Sequence, residues 1–243
     1  MNHFCRAIEE GRGVYSNIKR FVLYLFSHNL AELFPIVFAV VTNMHLVPLW
    51  ALQVLAIDLG SDVLPALALG TEPPEPGIMD QPPRPRDEKL LNLAAVRRLV
   101  FLGVIQSIGC IIAFLYVLKT GGWHWGQVLN IKTSMLYKQA ITMTQGGIVL
   151  GQFFNGFAVR TDTVSVFKVG LFSNRRLVYG EILGLIILAL ISYVPFLQNI
   201  FNTGPLELKH WLILIFFGLV LFVAEEGRKA VARARQKRRA VNV

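Results

Sequence analysis

Charge is scarce in this sequence: Asp, Glu, Lys and Arg make up 16% of its 243 residues, against 54% hydrophobic residues. A soluble domain carries about 25% charged residues, so water is not the main solvent of this chain. Cysteine is scarcer still, with only Cys5 ahead of the first apolar run and Cys110 inside the third. That pair excludes a disulfide framework and has no metal-ligand company. The N-terminus lacks the charged-then-apolar pattern of a cleaved signal peptide, so the first apolar run is expected to direct insertion itself. No internal repeat stands out, which argues against an inverted-repeat transporter.

What the chain has instead is long apolar runs. A helix needs roughly 20 apolar residues to cross a hydrocarbon core of about 30 Å. Six stretches come close to that: Phe21–Val41, Leu46–Leu69, Leu99–Leu118, Ile141–Ala158, Leu177–Phe196 and His210–Val223. Six spans put both termini on one side of the bilayer. All but four of the 24 lysines and arginines then fall on that side, the exceptions being Lys119, Lys132, Lys138 and Lys209. This positive-inside bias makes both termini cytoplasmic. The net charge of +9 is thereby an orientation signal, and the basic tail from Arg228 to Arg239 faces anionic lipid, not nucleic acid.

The expected fold is an all-α membrane protein with six transmembrane helices. Its first helix extends as a cytoplasmic stalk over residues 1–20, because Ala7 to Tyr24 contains no proline. Residues 21–70 form a hairpin of the first two spans, closed by a short outer turn, with Pro48 in the first turn of the second helix. Residues 71–98 form a proline-rich cytoplasmic loop. Six prolines between Gly70 and Arg86 exclude a helix there and favour an extended ribbon, either a surface linker or a docking strut. Residues 99–223 hold four supporting spans, and 224–243 the basic tail. Trp123 and Trp125 mark an interfacial belt on the outer side.

Of fifteen acidic residues, only Glu32, Asp58 and Asp62 fall deep within a span. A carboxylate at the bilayer centre costs about 2.5–3.5 kcal/mol on insertion scales. No Lys or Arg lies in these two spans to offset that, which leaves protonation, hydrogen bonds or a bound cation. Asn29 lies three residues before Glu32, and Ser61 lies beside Asp62, itself four residues after Asp58. Each set covers about one helix face, and the two faces can meet across the hairpin. Gly60 and Pro65 weaken the second helix, while Pro35 frees the carbonyl of Ala31 in the first. Asn29, Glu32, Asp58, Ser61 and Asp62 are therefore candidate cation ligands. Gln145, Gln152 and Asn155 in the fourth span serve as packing glue or as weaker ligands. His28 reads as a packed, neutral imidazole as readily as a ligand.

These residues resemble a family, the membrane region of P-type cation-transporting ATPases of the calcium-pump and sodium/potassium-pump type. The matching stretches are Glu9-Glu-Gly-Arg-Gly-Val-Tyr-Ser-Asn-Ile-Lys-Arg-Phe21, Ser27-His-Asn-Leu-Ala-Glu32, Ile57-Asp-Leu-Gly-Ser-Asp-Val-Leu-Pro65 and Glu72-Pro-Pro-Glu-Pro-Gly-Ile-Met-Asp-Gln-Pro-Pro-Arg84. The likeness covers nearly the whole chain, which looks like the last six of the family's ten spans. It implies that Asn29 and Glu32 bind the transported ion from one span, and Asp58, Ser61 and Asp62 from the next. It implies Ca2+ first, with Na+, K+ or H+ open, because Asp58 matches the sodium/potassium type where many calcium pumps carry Asn. It makes the proline-rich loop a strut against the phosphorylation domain.

The family's Asp-Lys-Thr-Gly-Thr phosphorylation motif does not occur in these 243 residues, nor do its nucleotide-binding and actuator domains. The resemblance therefore implies the transport portion of a pump in the plasma membrane, inactive as an ATPase alone. Its partner would be an N-terminal portion carrying the phosphorylation and nucleotide domains. The chain would be a truncated reading frame, one half of a split pump, or a fragment. The alternatives are a non-enzymatic six-span protein, cation-binding or regulatory, and a proton-coupled secondary transporter using the acids as a relay.

Overall fold

An unbroken helix, α1 (Asn2–Val41), opens the chain with 40 residues. At about 1.5 Å per residue it is roughly 60 Å long, about twice a hydrocarbon core, so much of it projects beyond one. Pro35 lies inside it and has no N–H to give the carbonyl of Ala31. The computed structural model describes residues 2–75, 77–80 and 89–241, and among these every regular element is helical.

A turn with Asn43 in the left-handed region reverses the chain. The turn is pinned to the bundle by Tyr137, whose hydroxyl accepts from the Val47 amide at 2.7 Å and donates to the Val47 carbonyl at 3.0 Å. The next helix begins only at Ala51, so Pro48 sits in the turn and not in a first helical turn. Leu46 and Leu49 are buried there as plugs. From Ala51 the chain runs as α2 (Ala51–Ala56), a π-helical turn (Ile57–Asp62) and α3 (Val63–Leu69). The π turn coincides with the weakening expected from Gly60 and Pro65, and it carries both aspartates. Such turns are rare and cluster at functional positions.

After α3, a short 3₁₀ turn forms at Ile78–Asp80. Pro76 and residues 81–88, the second half of the proline-rich loop, lie outside the described residues. Four longer helices follow: α4 (Leu93–Thr120), α5 (Met135–Val159), α7 (Arg175–Tyr193) and α9 (Leu208–Val241), with short α6 (Val166–Val169) and α8 (Pro195–Phe201) between them. Side chains cap three of these: Asn92 accepts from Ala95 N, Ser134 from Tyr137 N and Asn174 from Leu177 N, each meeting an amide the helix leaves free. The helix of α9 does not stop where the last apolar run ends at Val223; it continues through the basic residues. Trp123, placed in an interfacial belt by sequence, is buried in the core beneath its loop, while Trp125 is exposed.

Among the described residues, five helices are long and apolar enough to cross a membrane: those within Cys5–Val41, Ala51–Leu69, Leu93–Thr120, Arg175–Tyr193 and Leu208–Arg235. The expected fourth span lies in α5, which does not reach that hydropathy. Its Thr142, Thr144, Gln145, Gln152 and Asn155 are all buried, and it packs against α1, α4, α7 and α9. A helix screened by its neighbours need not be apolar all round.

Helix α7 reaches the second hairpin helix through Gly180 and Gly184, a small-xxx-small pair that lets backbones approach. A Cβ at Gly180 would fall 2.9 Å from the Pro65 nitrogen, and one at Gly184 3.2 Å from Ser61 Cβ. Gly180→Ala is therefore expected to cost about 1–3 kcal/mol as an overpacking change. Gly227→Ala, whose Cβ would meet nothing within 4 Å, should cost nothing. Denaturant-coupled thermal unfolding in detergent measures both, and equal effects would contradict this packing.

Candidate intramembrane cation site

The hairpin brings α1 and the π turn side by side at mid-helix, and His28 is the residue on which they meet. Its Nε2 lies 3.2 Å from Glu32 Oε1 and 3.2 Å from Asp58 Oδ1, and its Nδ1 lies 3.0 Å from Asp62 Oδ2. His28 and Glu32 are four apart and so share a face of α1, as Asp58 and Asp62 do on the facing helix. His28, Glu32 and Asp62 are buried, whereas the Asp58 side chain is 46% exposed. One wall of the site is thus open among the described residues.

Helix α5 supplies the floor. Gln152 Nε2 donates to Asp62 Oδ2 at 3.2 Å, and Asn155 Nδ2 donates to Gln152 Oε1 at 2.8 Å and to Ser27 Oγ at 2.9 Å. A chain of donors therefore ends on the Asp62 carboxylate, which is where a buried acceptor needs it. Gln145, also in α5, is buried but leaves its carbonyl oxygen without a partner.

Three of the five residues singled out from sequence, Glu32, Asp58 and Asp62, are brought together. Asn29 is not: it is exposed, one step around α1 from His28. A spacing of three from Glu32 suggested a shared face, but the spacing of four, His28 to Glu32, is the one that points inward. Ser61 is buried against Gly184 of α7, on the flank of the acid cluster. The sequence leaves His28 open and does not count Glu181 among the acids deep within a span. Glu181 is in fact buried, with Oε1 unpartnered beside Gly156 of α5, and Tyr24 Oη is likewise buried without a partner. The signals available were the i, i+4 pairing of His28 with Glu32 and the position of Glu181 between two close-packing glycines.

A second polar network closes the end of the bundle near residues 12–20. Asn17 donates to the Glu72 carbonyl at 2.7 Å, Arg12 to the Ile78 carbonyl at 2.7 Å, and Arg20 lies 3.6 Å from Glu75. Arg160 Nε donates to Glu72 Oε1 at 3.0 Å, and Asn174 to Glu72 Oε2 at 2.6 Å. Burial pushes the Glu75 carboxyl above its ordinary range against the pull of Arg20. Burial also raises Asp162, but the charges of Arg98, Lys19 and Arg20 outweigh it and hold the group below its ordinary range. Arg228, Lys229 and Arg233 of the basic tail are bonded to this end, to Asp162 O, Thr161 Oγ1 and Thr163 O.

Long apolar helices around a buried polar locus define the class: a multi-span helical membrane protein with a polar cluster inside its bundle. A family model described as "Cation transporting ATPase, C-terminus" matches residues 46–231, and the chain belongs to that family as the C-terminal membrane region of a P-type ATPase. It is 32% identical over 229 residues to "Calcium-transporting ATPase 1" of Yarrowia lipolytica, covering 94% of this chain and 23% of that protein. It is 32% identical to human "Calcium-transporting ATPase type 2C member 1", covering 95% and 24%. To "Potassium-transporting ATPase alpha chain 1" of Xenopus laevis it is 29% identical, covering 93% and 24%. The chain thus spans about a quarter of the length of these relatives.

The donor chain on α5 yields a test. Gln152→Met removes one hydrogen bond each from the Asp62 carboxylate and Asn155 and is expected to cost about 1–3 kcal/mol. Gln145→Met removes an oxygen that already lacks one and should stay within about 0.5 kcal/mol of wild type. Comparing their unfolding in detergent decides it.

Proposed function

We propose that this chain is the ion-binding membrane portion of an ATP-driven cation pump, with Glu32, Asp58 and Asp62 as the oxygen core of the transported ion's site. The single observation that carries this reading is the convergence of three acids, from two helices, on one locus inside an apolar bundle. Carboxylates at that depth are costly and mark ion pathways. Ser61 flanks the core, while Asn29, exposed one step around α1, joins the ligand set only with a further wall that closes on the open side.

Ca2+ is the first candidate ion. Two of the relatives named above are calcium-transporting, and a hard cation takes six to eight oxygens, which carboxylates supply best. Na+, K+ and H+ remain in the same reading, because another relative is potassium-transporting. The rest of the pump, with phosphorylation and nucleotide domains, supplies the energy and covers the half-exposed Asp58. In that assembly residues 1–20 are the stalk, 21–70 the ion hairpin, 71–98 the loop toward the phosphorylation domain, 99–223 the support and 224–243 the basic tail. Six spans, both termini in the cytoplasm and residence in the plasma membrane belong to this proposal. The bias of basic residues to one side supports the orientation, and α5 counts as a span because its polar groups are screened. The names of the relatives, all pumps, weigh against a non-enzymatic regulatory protein.

The test is cation-dependent thermal stability of the purified chain in detergent. Ca2+ is expected to raise the midpoint of wild type, and Asp62→Asn to weaken the apparent affinity by about tenfold or more, since linkage stabilisation follows RT ln(1 + [L]/Kd). Equal responses of both proteins to Ca2+, Na+ and K+ would contradict the reading.

A further inference from the structure

The acid cluster contains a nitrogen donor at its centre, and that changes which ions it suits. We propose that His28 Nε2, Glu32 and Asp58 form a binding site for a divalent transition-metal ion of the zinc type, with Asp62 holding the imidazole in place from its other side. This deepens the cation-site reading and rests on it.

Three observations carry the inference. First, His28 Nε2 stands 3.2 Å from one carboxylate oxygen of Glu32 and 3.2 Å from one of Asp58, and the three donor atoms lie within 4.8 Å of one another. A tetrahedral ion with bonds of about 2.0–2.1 Å sets its donors roughly 3.3–3.4 Å apart, which the two distances from His28 already match. Second, His28 and Glu32 are buried, and Glu32 Oε1 makes no hydrogen bond. A buried acceptor oxygen that faces the imidazole and lacks a partner is the group a cation satisfies. Third, the opposite ring nitrogen, Nδ1, stands 3.0 Å from Asp62 Oδ2 without closing a hydrogen bond, and Asp62 is itself held by Gln152, which is held by Asn155. Metal-ligating histidines characteristically turn their second nitrogen to a carboxylate, which fixes the ring and raises its basicity.

Charge and softness agree with this geometry. A dication cancels the charges of the Glu32 and Asp58 carboxylates and leaves only Asp62, so its binding lowers the charge that a low-dielectric interior must hold. Calcium asks for six to eight oxygens at about 2.3–2.6 Å and gains little from a nitrogen. Imidazole suits zinc, iron, copper and nickel, and affinity rises along the first transition row. Asp58, half-exposed, leaves the fourth coordination position open toward the unwalled side.

The test uses the purified full chain in detergent, stripped of metal, and titrated with Zn2+, Co2+ and Ca2+. Wild type is expected to bind Zn2+ and Co2+ more tightly than Ca2+. His28→Gln should weaken Zn2+ by about 100-fold while changing Ca2+ by less than about threefold, and Asp62→Asn should weaken Zn2+ by about 10–100-fold as a loss of orientation. Cobalt-edge X-ray absorption on wild type is expected to show imidazole scattering, a readout that stands even if a variant fails to fold. An unchanged Zn2+ affinity in folded His28→Gln, or a cobalt site without imidazole, overturns this inference while Asp62-dependent stabilisation by Ca2+ leaves the cation-site reading intact. If no cation acts through Asp62, both fail together.

Discussion

The contact of the His28 imidazole with Glu32, Asp58 and Asp62 is what lets three acids sit inside apolar helices. Each carboxylate alone costs a few kcal/mol at that depth, and no lysine or arginine lies in α1 beyond Arg20 or in the second hairpin helix to offset it. A buried, fully enclosed imidazole stands within 3.0–3.2 Å of all three, and its Nε2 is in hydrogen-bonding geometry with Asp58 Oδ1. The surrounding architecture follows from keeping that ring and those acids together. The short turn after α1 holds the two helices adjacent, the π turn presents both aspartates, and α7 is drawn close through Gly180 and Gly184.

Helix α5 shows the same constraint from the other side. Among the described long helices it alone has no stretch apolar enough for a membrane span, yet most of its residues are buried, because its Gln152 and Asn155 extend the polar cluster into the bundle. A helix that faces lipid could not carry them without leaving amides unpaired. The α1 helix in turn joins two polar centres: Arg12, Asn17 and Arg20 meet the loop after α3 at one end, and His28 and Glu32 meet the π turn further along. An unbroken helix is a stiff link between them.

Much of this was legible in the sequence because bilayer physics is severe. Long apolar runs gave the helices at α1, α4, α7 and α9, and the three acids were visible as exceptions within such runs. Facing was harder to read. Asn29 and His28 are neighbours, and a periodicity argument from Glu32 alone does not separate them until the partner helix is in place. Glu181 sits near the start of an apolar run, where a carboxylate ordinarily reaches the headgroups; only the packing of α5 against α7 encloses it. The start of the second helix at Ala51 was hidden because Leu46 and Leu49 are apolar for a different reason, as core plugs under the turn. The continuation of α9 through its basic residues was hidden too, since their partners, Asp162 and the carbonyls of the α5–α6 connection, are distant in sequence.

The central claim is that His28 and the acids act as one energetic unit. The most direct measurement is a double-mutant cycle on unfolding free energy in detergent, using His28→Gln, Asp62→Asn and the two together. The account predicts a coupling of about 1–3 kcal/mol, the size expected of residues in one buried network. Additivity to within about 0.5 kcal/mol would contradict it.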